Sequence, residues 1–339
     1  MDIDIGVWAA VGFAFAAYAV VGNDALQTLG TFINSNRRLP WWALYLYAAV
    51  ILVGIFYFGY DRFAGDPSWG RLSNVEKYPI FHVEWYHAIP PLALLILTRL
   101  GIPVSTSFMV LSIFATLSGM QSMLVKSLSG YVAAFVTGGV IYAILAPTVE
   151  RWFLKTAEQQ HAPVWVLLQW ITTGYLWAVW LIQDFANIFV FLPRGEDASG
   201  ANALNLQEAT LALGVILLLL AYTFANKGGP VQRILKSKTN VRDIRSATII
   251  DFLYASLLFY YARINPIPMS TTWVFLGLIG GREFAIASID KIRSPGATAK
   301  IVGLDAIKAL IGLAISVFFA LTLPPLGAYL ETGVMGGGW

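Results

Sequence analysis

Two short runs of this 339-residue chain place a carboxylate between amides inside apolar sequence. Asn23-Asp24-Ala25-Leu26-Gln27 follows the hydrophobic run from Ile5 to Val21, and Gln183-Asp184-Phe185-Ala186-Asn187 lies in a stretch dense in Trp, Leu, Ile and Val. An ionised side chain in hydrocarbon costs roughly 3 kcal/mol or more, so a matched pair of such placements points to function. Oxygens of Asp, Asn and Gln, joined by carbonyls released where a helix breaks, suit a hard cation such as sodium. A second matched pair offers the opposite chemistry. Pro103-Val104-Ser105-Thr106-Ser107 and Pro268-Met269-Ser270-Thr271-Thr272 each set a proline before consecutive hydroxyls. A helix that starts there presents hydroxyls and free N–H groups, which suit an oxyanion. Together the two pairs imply cation-coupled symport of an anion.

The elements that must hold these residues are membrane helices. Hydrophobic residues make up 58% of the chain, charged residues only 12%, and the mean hydropathy is +0.67. A soluble domain carries about 25% charged residues. The absence of cysteine excludes disulfides, thiolate catalysis and Cys-based metal sites. The acidic start Met1-Asp2-Ile3-Asp4 lacks the basic flank of a signal peptide, so the first apolar segment is expected to remain. Apolar runs near 20 residues predict spans at 5–33, 41–59, 80–100, 103–125, 130–147, 163–192, 208–226, 247–264, 270–289 and 301–322. Broken or re-entrant helices are expected where Gly, Pro, Ser and Thr cluster.

The motifs recur in the same order, with Asp24 to Ser105 at 81 residues and Asp184 to Ser270 at 86. This marks an internal duplication: a first repeat over 1–150, a short cytoplasmic linker over 151–162 and a second repeat over 163–339. Five spans per half force opposite orientations. The loop at 60–79 has three basic and three acidic residues, whereas its counterpart at 226–246 has six basic against one acidic. The positive-inside rule puts the second loop in the cytoplasm and, with the first outside, the N-terminus outside. The expected fold is thus an all-α polytopic membrane protein built as a 5+5 inverted-topology repeat. Its expected place is the plasma membrane, or the inner membrane of a bacterium.

On these motifs the chain resembles the inorganic phosphate transporter (PiT) family. The two acid-amide runs look like divergent copies of its duplicated GANDVANA signature, and the Pro-x-Ser-Thr-Ser/Thr runs like its paired P-V-S-T-T-H elements. The resemblance implies an inverted-repeat fold and symport of inorganic phosphate. It also implies cation binding by Asn23, Asp24, Gln27, Gln183, Asp184 and Asn187, with sodium at Asn23, Asp24, Gln183 and Asp184. Ser105, Thr106, Ser107, Ser270, Thr271 and Thr272 would line the anion site. The departures are specific: Gln27 and Gln183 replace asparagines, and the histidine after each hydroxyl run is Phe108 or Trp273.

Several readings stay open on sequence alone. The anion can be phosphate, sulfate or another small oxyanion, and the driving ion sodium or, less favoured by the ligands, a proton. The same polar breaks can serve a channel, and paired aspartates a membrane-embedded enzyme, although the flanking amides look more like ligands than acid–base partners. No cofactor is expected beyond sodium as the coupling ion. The partners are the anion, the cation, the lipid bilayer and, as an open option, a second copy in a homodimer; no nucleic-acid motif appears. Arg282, beside Glu283, is either half of an ion pair or a further anion ligand, since a guanidinium pairs well with oxyanions. His82, His87 and His161 lack metal-ligand spacing and read as interfacial, as do Trp41, Trp42, Trp69, Trp85, Trp152 and Trp165.

Overall fold

A backbone in hydrocarbon must satisfy its own N–H and C=O groups, and the apolar runs of this chain do so as helices. The computed structural model describes residues 6–36, 38–79, 82–100, 104–196, 202–226, 243–264, 266–290 and 294–333. The chain opens with α1 (Val7–Ala19), a π-helical turn (Val20–Asp24) and α2 (Ala25–Ser35). Then come α3 (Trp41–Arg62), a long loop, a 3-10 turn (Trp85–Ala88), α4 (Ile89–Arg99) and the short α5 (Thr106–Leu111). α6 (Leu117–Leu145) continues through a π-helical turn (Ala146–Glu150) into α7 (Arg151–Lys155). α8 (Pro163–Phe189) is followed by a small antiparallel hairpin, β1 (Arg194–Glu196) and β2 (Asn202–Leu204), and by α9 (Leu206–Ala225). The last described helices are α10 (Ile244–Ile264), α11 (Thr271–Asp290) and α12 (Pro295–Thr332). Among the described residues, seven helices are long and apolar enough to cross a membrane: α3, α6 with α7, α8, α9, α10, α11 and α12. This is an all-α, multi-pass membrane protein.

The span boundaries differ from the sequence reading in three places. The segments 103–125 and 130–147 are not two spans. Short α5 ends at Leu111, and α6 then runs unbroken through Gly130. Gly130 does not interrupt its helix; it makes room for Met269 Cε and Val274 Cγ2, which a Cβ there would meet at 2.7 and 3.0 Å. The segment 5–33 passes through a π-helical turn at Val20–Asp24 between α1 and α2, whereas α8 runs as regular α-helix through Asp184 and ends five residues later. The linker at 151–162 is itself mostly helical, with a 3-10 turn over Ala157–His161. Arg37, Pro103, the basic loop at 227–242, Lys291 and Arg293 lie outside the described residues.

Two packing relationships position the motifs. The first pairs the two acid-bearing segments. A side chain at Gly12 of α1 would collide with Phe191, just past α8, whereas Asn36, just past α2, donates from Nδ2 to Gln169 Oε1 near the start of α8 at 3.2 Å. Gln169 Nε2 donates in turn to Ser35 Oγ at 3.1 Å, and Trp170 Nε1 to Asn36 Oδ1 at 3.2 Å. The chain from Gly12 to Asn36 therefore runs antiparallel to α8.

The second relationship joins α6 and α11, which run parallel in backbone contact. A Cβ on Gly277 would strike Tyr131 O, one on Gly138 would strike Leu278 O, and one on Gly281 would strike Phe135 O. Glycines at a membrane helix interface let backbones approach closely, where lipid offers no hydrophobic driving force. That contact sets the depth of the α11 start, and so of Ser270–Thr272.

The loop after α3 is folded, with several side chains buried. Asp66, Ser68, Arg71, Leu72 and Tyr78 are all buried. Ala64 and Trp69 hold positive φ (49° and 61°), beside Gly65 (80°) and Gly70 (76°). A left-handed non-glycine residue costs about 1–3 kcal/mol and persists only where the surroundings over-determine it. Here Trp69 packs on Phe58 and Phe63 and donates from Nε1 to Ile55 O at 3.2 Å, so it is an anchor of the loop and not part of an interfacial belt. The β1–β2 hairpin closes over the loop: Leu204 N donates to Gly65 O at 3.2 Å, Tyr60 Oη to Leu204 O at 2.6 Å, and Arg194 Nη1 to Leu72 O at 2.6 Å.

Candidate anion and cation site

The two hydroxyl runs start helices and meet. Ser105 is the N-cap of α5, its Oγ accepting from Phe108 N at 3.2 Å, and Ser270 Oγ accepts from Trp273 N at 3.1 Å at the start of α11. A side-chain oxygen three residues ahead of the N–H it accepts is what Ser supplies at an N-cap. Ser107 Oγ then donates to Met269 O at 3.0 Å, which ties one start to the other. Phe108 and Trp273 pack with ring centroids 5.7 Å apart. The two positions where the resemblance leads one to expect histidines thus touch, and neither can titrate. α5 is too short to carry much of a helix dipole, so its contribution is hydroxyl and N–H donors. All six Ser and Thr residues are buried, and Thr272 Oγ1 and Trp273 Nε1 are buried without a hydrogen-bond partner. Tyr254 Oη, from α10, donates to Thr271 O at 3.0 Å and braces the start of α11.

The second acid-amide motif lies in the core of α8. Asp184 is 1% exposed, and its Oδ1 accepts from Asn187 Nδ2 at 2.5 Å. This i, i+3 pair leaves Asn187 Oδ1 buried without a hydrogen-bond partner, where it can serve as a ligand oxygen. Gln183 does something else. Its Oε1 accepts from Arg71 Nε at 3.2 Å while its Nε2 donates to Leu258 O of α10 at 3.2 Å. The extra methylene of Gln, relative to the Asn of the signature, lets one amide reach both the loop and α10. In this conformation the Gln183 oxygen is engaged by a guanidinium and not held open for a cation. The backbone at Asn23 and Asp24 lies in the π-helical turn; their side chains, and that of Gln27, are outside the described residues.

Arg282 does not join this site. It lies 11 residues beyond Thr271 on α11, about 16 Å along the axis at 1.5 Å per residue. There it pairs with Glu283 at 3.1 Å and sits over the Tyr142 ring at 5.2 Å. His87 is likewise not interfacial: it is buried, accepts from Glu84 N at Nδ1 (2.9 Å) and stacks on Phe114.

Buried charged residues that escaped the sequence reading include Asp66, Arg71, Lys126, Arg245 and Asp251. Arg71, 2% exposed, comes from the folded loop. Burial pulls its guanidinium down to about 10, opposed by the charges of Asp66 and Asp184, so it is cationic at neutral pH. Lys126, in α6, donates from Nζ to Ile267 O at 2.6 Å, just ahead of the α11 start, and its neighbour Ser127 accepts from Ser270 N at 2.9 Å. Asp251, in α10, accepts from Thr173 Oγ1 of α8 at 2.8 Å. The signal that singled out Asp24 and Asp184, a charge inside an apolar run, was present for Asp251. It was hidden for Lys126 by the misplaced break at 126–129, and for Arg71 by its place in a loop. Among the described residues no three His, Cys, Asp or Glu residues cluster as metal ligands.

Among solved structures, the chain is similar to one described as the sodium-dependent phosphate transporter. The match has a TM-score of 0.60 and 15% identity and covers 94% of this chain and 98% of that one. The chain has the fold of a sodium-dependent phosphate transporter. No family model matches the sequence, and no curated protein matches it. The match takes in nearly the whole length of both chains.

Proposed function

We propose that this protein is a secondary active transporter that moves inorganic phosphate in symport with a cation, sodium ahead of the proton. The observation that carries the reading is the bond from Ser107 to Met269. It joins two hydroxyl-rich helix starts into one donor-lined wall within a transporter fold. The anion ligands are Ser105, Thr106, Ser107, Ser270, Thr271 and Thr272. The cation ligands are Asn23, Asp24 and Gln27 from the first motif and Asp184 and Asn187 from the second. A carboxylate beside an amide oxygen suits a hard cation. The antiparallel passage of α1 and α2 along α8 supports reading the halves as inverted repeats, with the N-terminus outside the plasma membrane and the basic 227–242 loop inside. Sulfate is the second candidate, because Phe108 and Trp273 leave no titratable ring at the donor wall to read phosphate protonation. Purified protein in proteoliposomes, given labelled phosphate or sulfate with and without a sodium gradient, tests this. Phosphate uptake that rises with the sodium gradient is expected. Uptake that only dissipates the anion's own gradient would mean a channel, and no uptake of either anion would end the proposal.

A further inference from the structure

One oxygen of the second acid-amide motif already holds a cation, and that cation is part of the chain. Gln183 Oε1, on the residue before Asp184, accepts from Arg71 Nε at 3.2 Å, and the two residues are 0% and 2% exposed. The amide is fixed in this sense. Its Nε2 donates to Leu258 O at 3.2 Å, so its oxygen faces the guanidinium. A guanidinium stays charged at neutral pH, so this ligand position carries a positive charge from the chain itself.

The grip on Arg71 is partial. Its hydrogen bonds among the described residues go to Gln183 Oε1 and, from Nη1, to Ser68 O at 3.1 Å, while Nη2 is buried with no hydrogen-bond partner. A guanidinium has five donors, and one that only pins a loop to a helix commonly spends them as a fork on a carboxylate. Asp66, the nearest acid in sequence on the same loop, is turned to the loop's own groups. Its Oδ1 accepts from Ser68 N and Oγ at 2.8 and 2.5 Å, and its Oδ2 from Leu72 N at 3.2 Å. The loop also holds left-handed φ at Ala64 and Trp69, a conformation that stores strain. Few bonds and a strained tether make the guanidinium displaceable.

An amide oxygen holding Arg71 and a mobile cation together would set the two within about 6 Å, the 3.2 Å bond plus about 2.4 Å for a hard cation on oxygen. Dehydrated like charges that close repel strongly, so the oxygen serves one at a time. On the reading of the second motif as a cation site, given above, we propose that Arg71 is a tethered competitor for that site, occupying Gln183 Oε1 until sodium takes its place. Asp184 and Asn187 supply the other oxygens, and Gln183 completes the set only when Arg71 has left it. Gln183 is one methylene longer than Asn23, its counterpart in the first motif, and that length carries its oxygen out to the loop.

The test is equilibrium binding of labelled sodium to the purified full chain without anion. Arg71→Met, which keeps apolar bulk and removes the charge, should raise sodium affinity about 10- to 100-fold, the range for one hydrogen bond to a charged group. Gln183→Asn keeps an amide oxygen but withdraws it from the loop, so it should also raise sodium affinity, with Arg71 intact. It keeps the test decisive where Arg71→Met does not fold. Arg71→Met combined with Gln183→Leu should lose the gain, because the contested oxygen is gone. A purely structural arginine predicts the opposite sign, since losing the loop's anchor does not tighten a cation site. Sodium affinity lowered, or within about twofold of wild type, in Gln183→Asn and in Arg71→Met where it folds would overturn the inference. So would a gain that survives Gln183→Leu, which marks a charge acting at a distance. No sodium binding in wild type and variants alike, with no uptake of phosphate or sulfate, would instead sink the transport reading itself.

Discussion

Ser107 Oγ donates to Met269 O across 162 positions of chain, so the hydroxyl run of one half rests on the residue that precedes the hydroxyl run of the other. The contact divides the site's hydroxyls into two kinds. Ser105, Ser107 and Ser270 bond within the protein, as caps or ties, whereas Thr272 Oγ1 is buried without a protein partner.

That division gives a paired prediction. Ser107→Ala removes a buried bond and should cost about 1 kcal/mol of stability. Thr272→Val removes an unsatisfied hydroxyl and should leave thermal stability unchanged or slightly raised. It should also weaken anion affinity about tenfold, the lower range for a hydrogen bond to a charged group. Calorimetric titration beside thermal unfolding separates the two, and equal losses of stability would remove Thr272 from the site.

Asp184→Asn should fold, because Asn keeps the shape and one oxygen to accept from Asn187 Nδ2. It should reduce cation-coupled uptake to background, since the charge that offsets the cation is gone. Asp24→Asn is expected to behave alike. Normal transport at limiting sodium in both variants would show the acids to be structural.

Gly281→Ala should destabilise the protein by about 2 kcal/mol or more, since the new methyl strikes Phe135 O on α6. Gly214→Ala on α9 meets no atom within 4 Å and should be neutral or mildly stabilising. The measurement is thermal unfolding in detergent. If both variants melt alike, the close backbone approach of α6 and α11 is wrong.

Trp69→Ala takes away the ring that Phe58 and Phe63 hold and frees the loop from its left-handed conformation. The seven spans do not depend on that ring, so helix content should persist. Thermal stability should fall by about 3 kcal/mol, because a large packed ring and its bond to Ile55 O are lost. Thermal unfolding measured beside circular dichroism reads this, and an unchanged melting temperature would show that the loop holds its conformation without the ring.

The candidate residues were legible because polar groups are expensive in an apolar run. Asp184 with Asn187, and Ser105 and Ser270 as caps, stand where sequence reasoning put them, since a buried carboxylate needs a local partner and a Ser before a helix needs an N–H three residues on. Arg282 was misassigned because composition cannot say how far along a helix a charge sits from a ligand. Gln183 was read as a cation ligand because its amide matches the signature by type, whereas its partner, Arg71, is 112 positions away.

The order of residues by itself determined that this chain is a membrane protein with a duplicated acid-amide motif and a duplicated hydroxyl motif. Those features follow from local hydropathy and the cost of polar groups in lipid, which act at the scale of one helix. Only the tertiary structure decided that Gly130 is a contact and not a break, that residues 60–79 fold inward, and that Arg71 holds Gln183. These depend on backbone approach and loop closure between segments far apart in sequence, where no local pattern records which neighbour a side chain will meet.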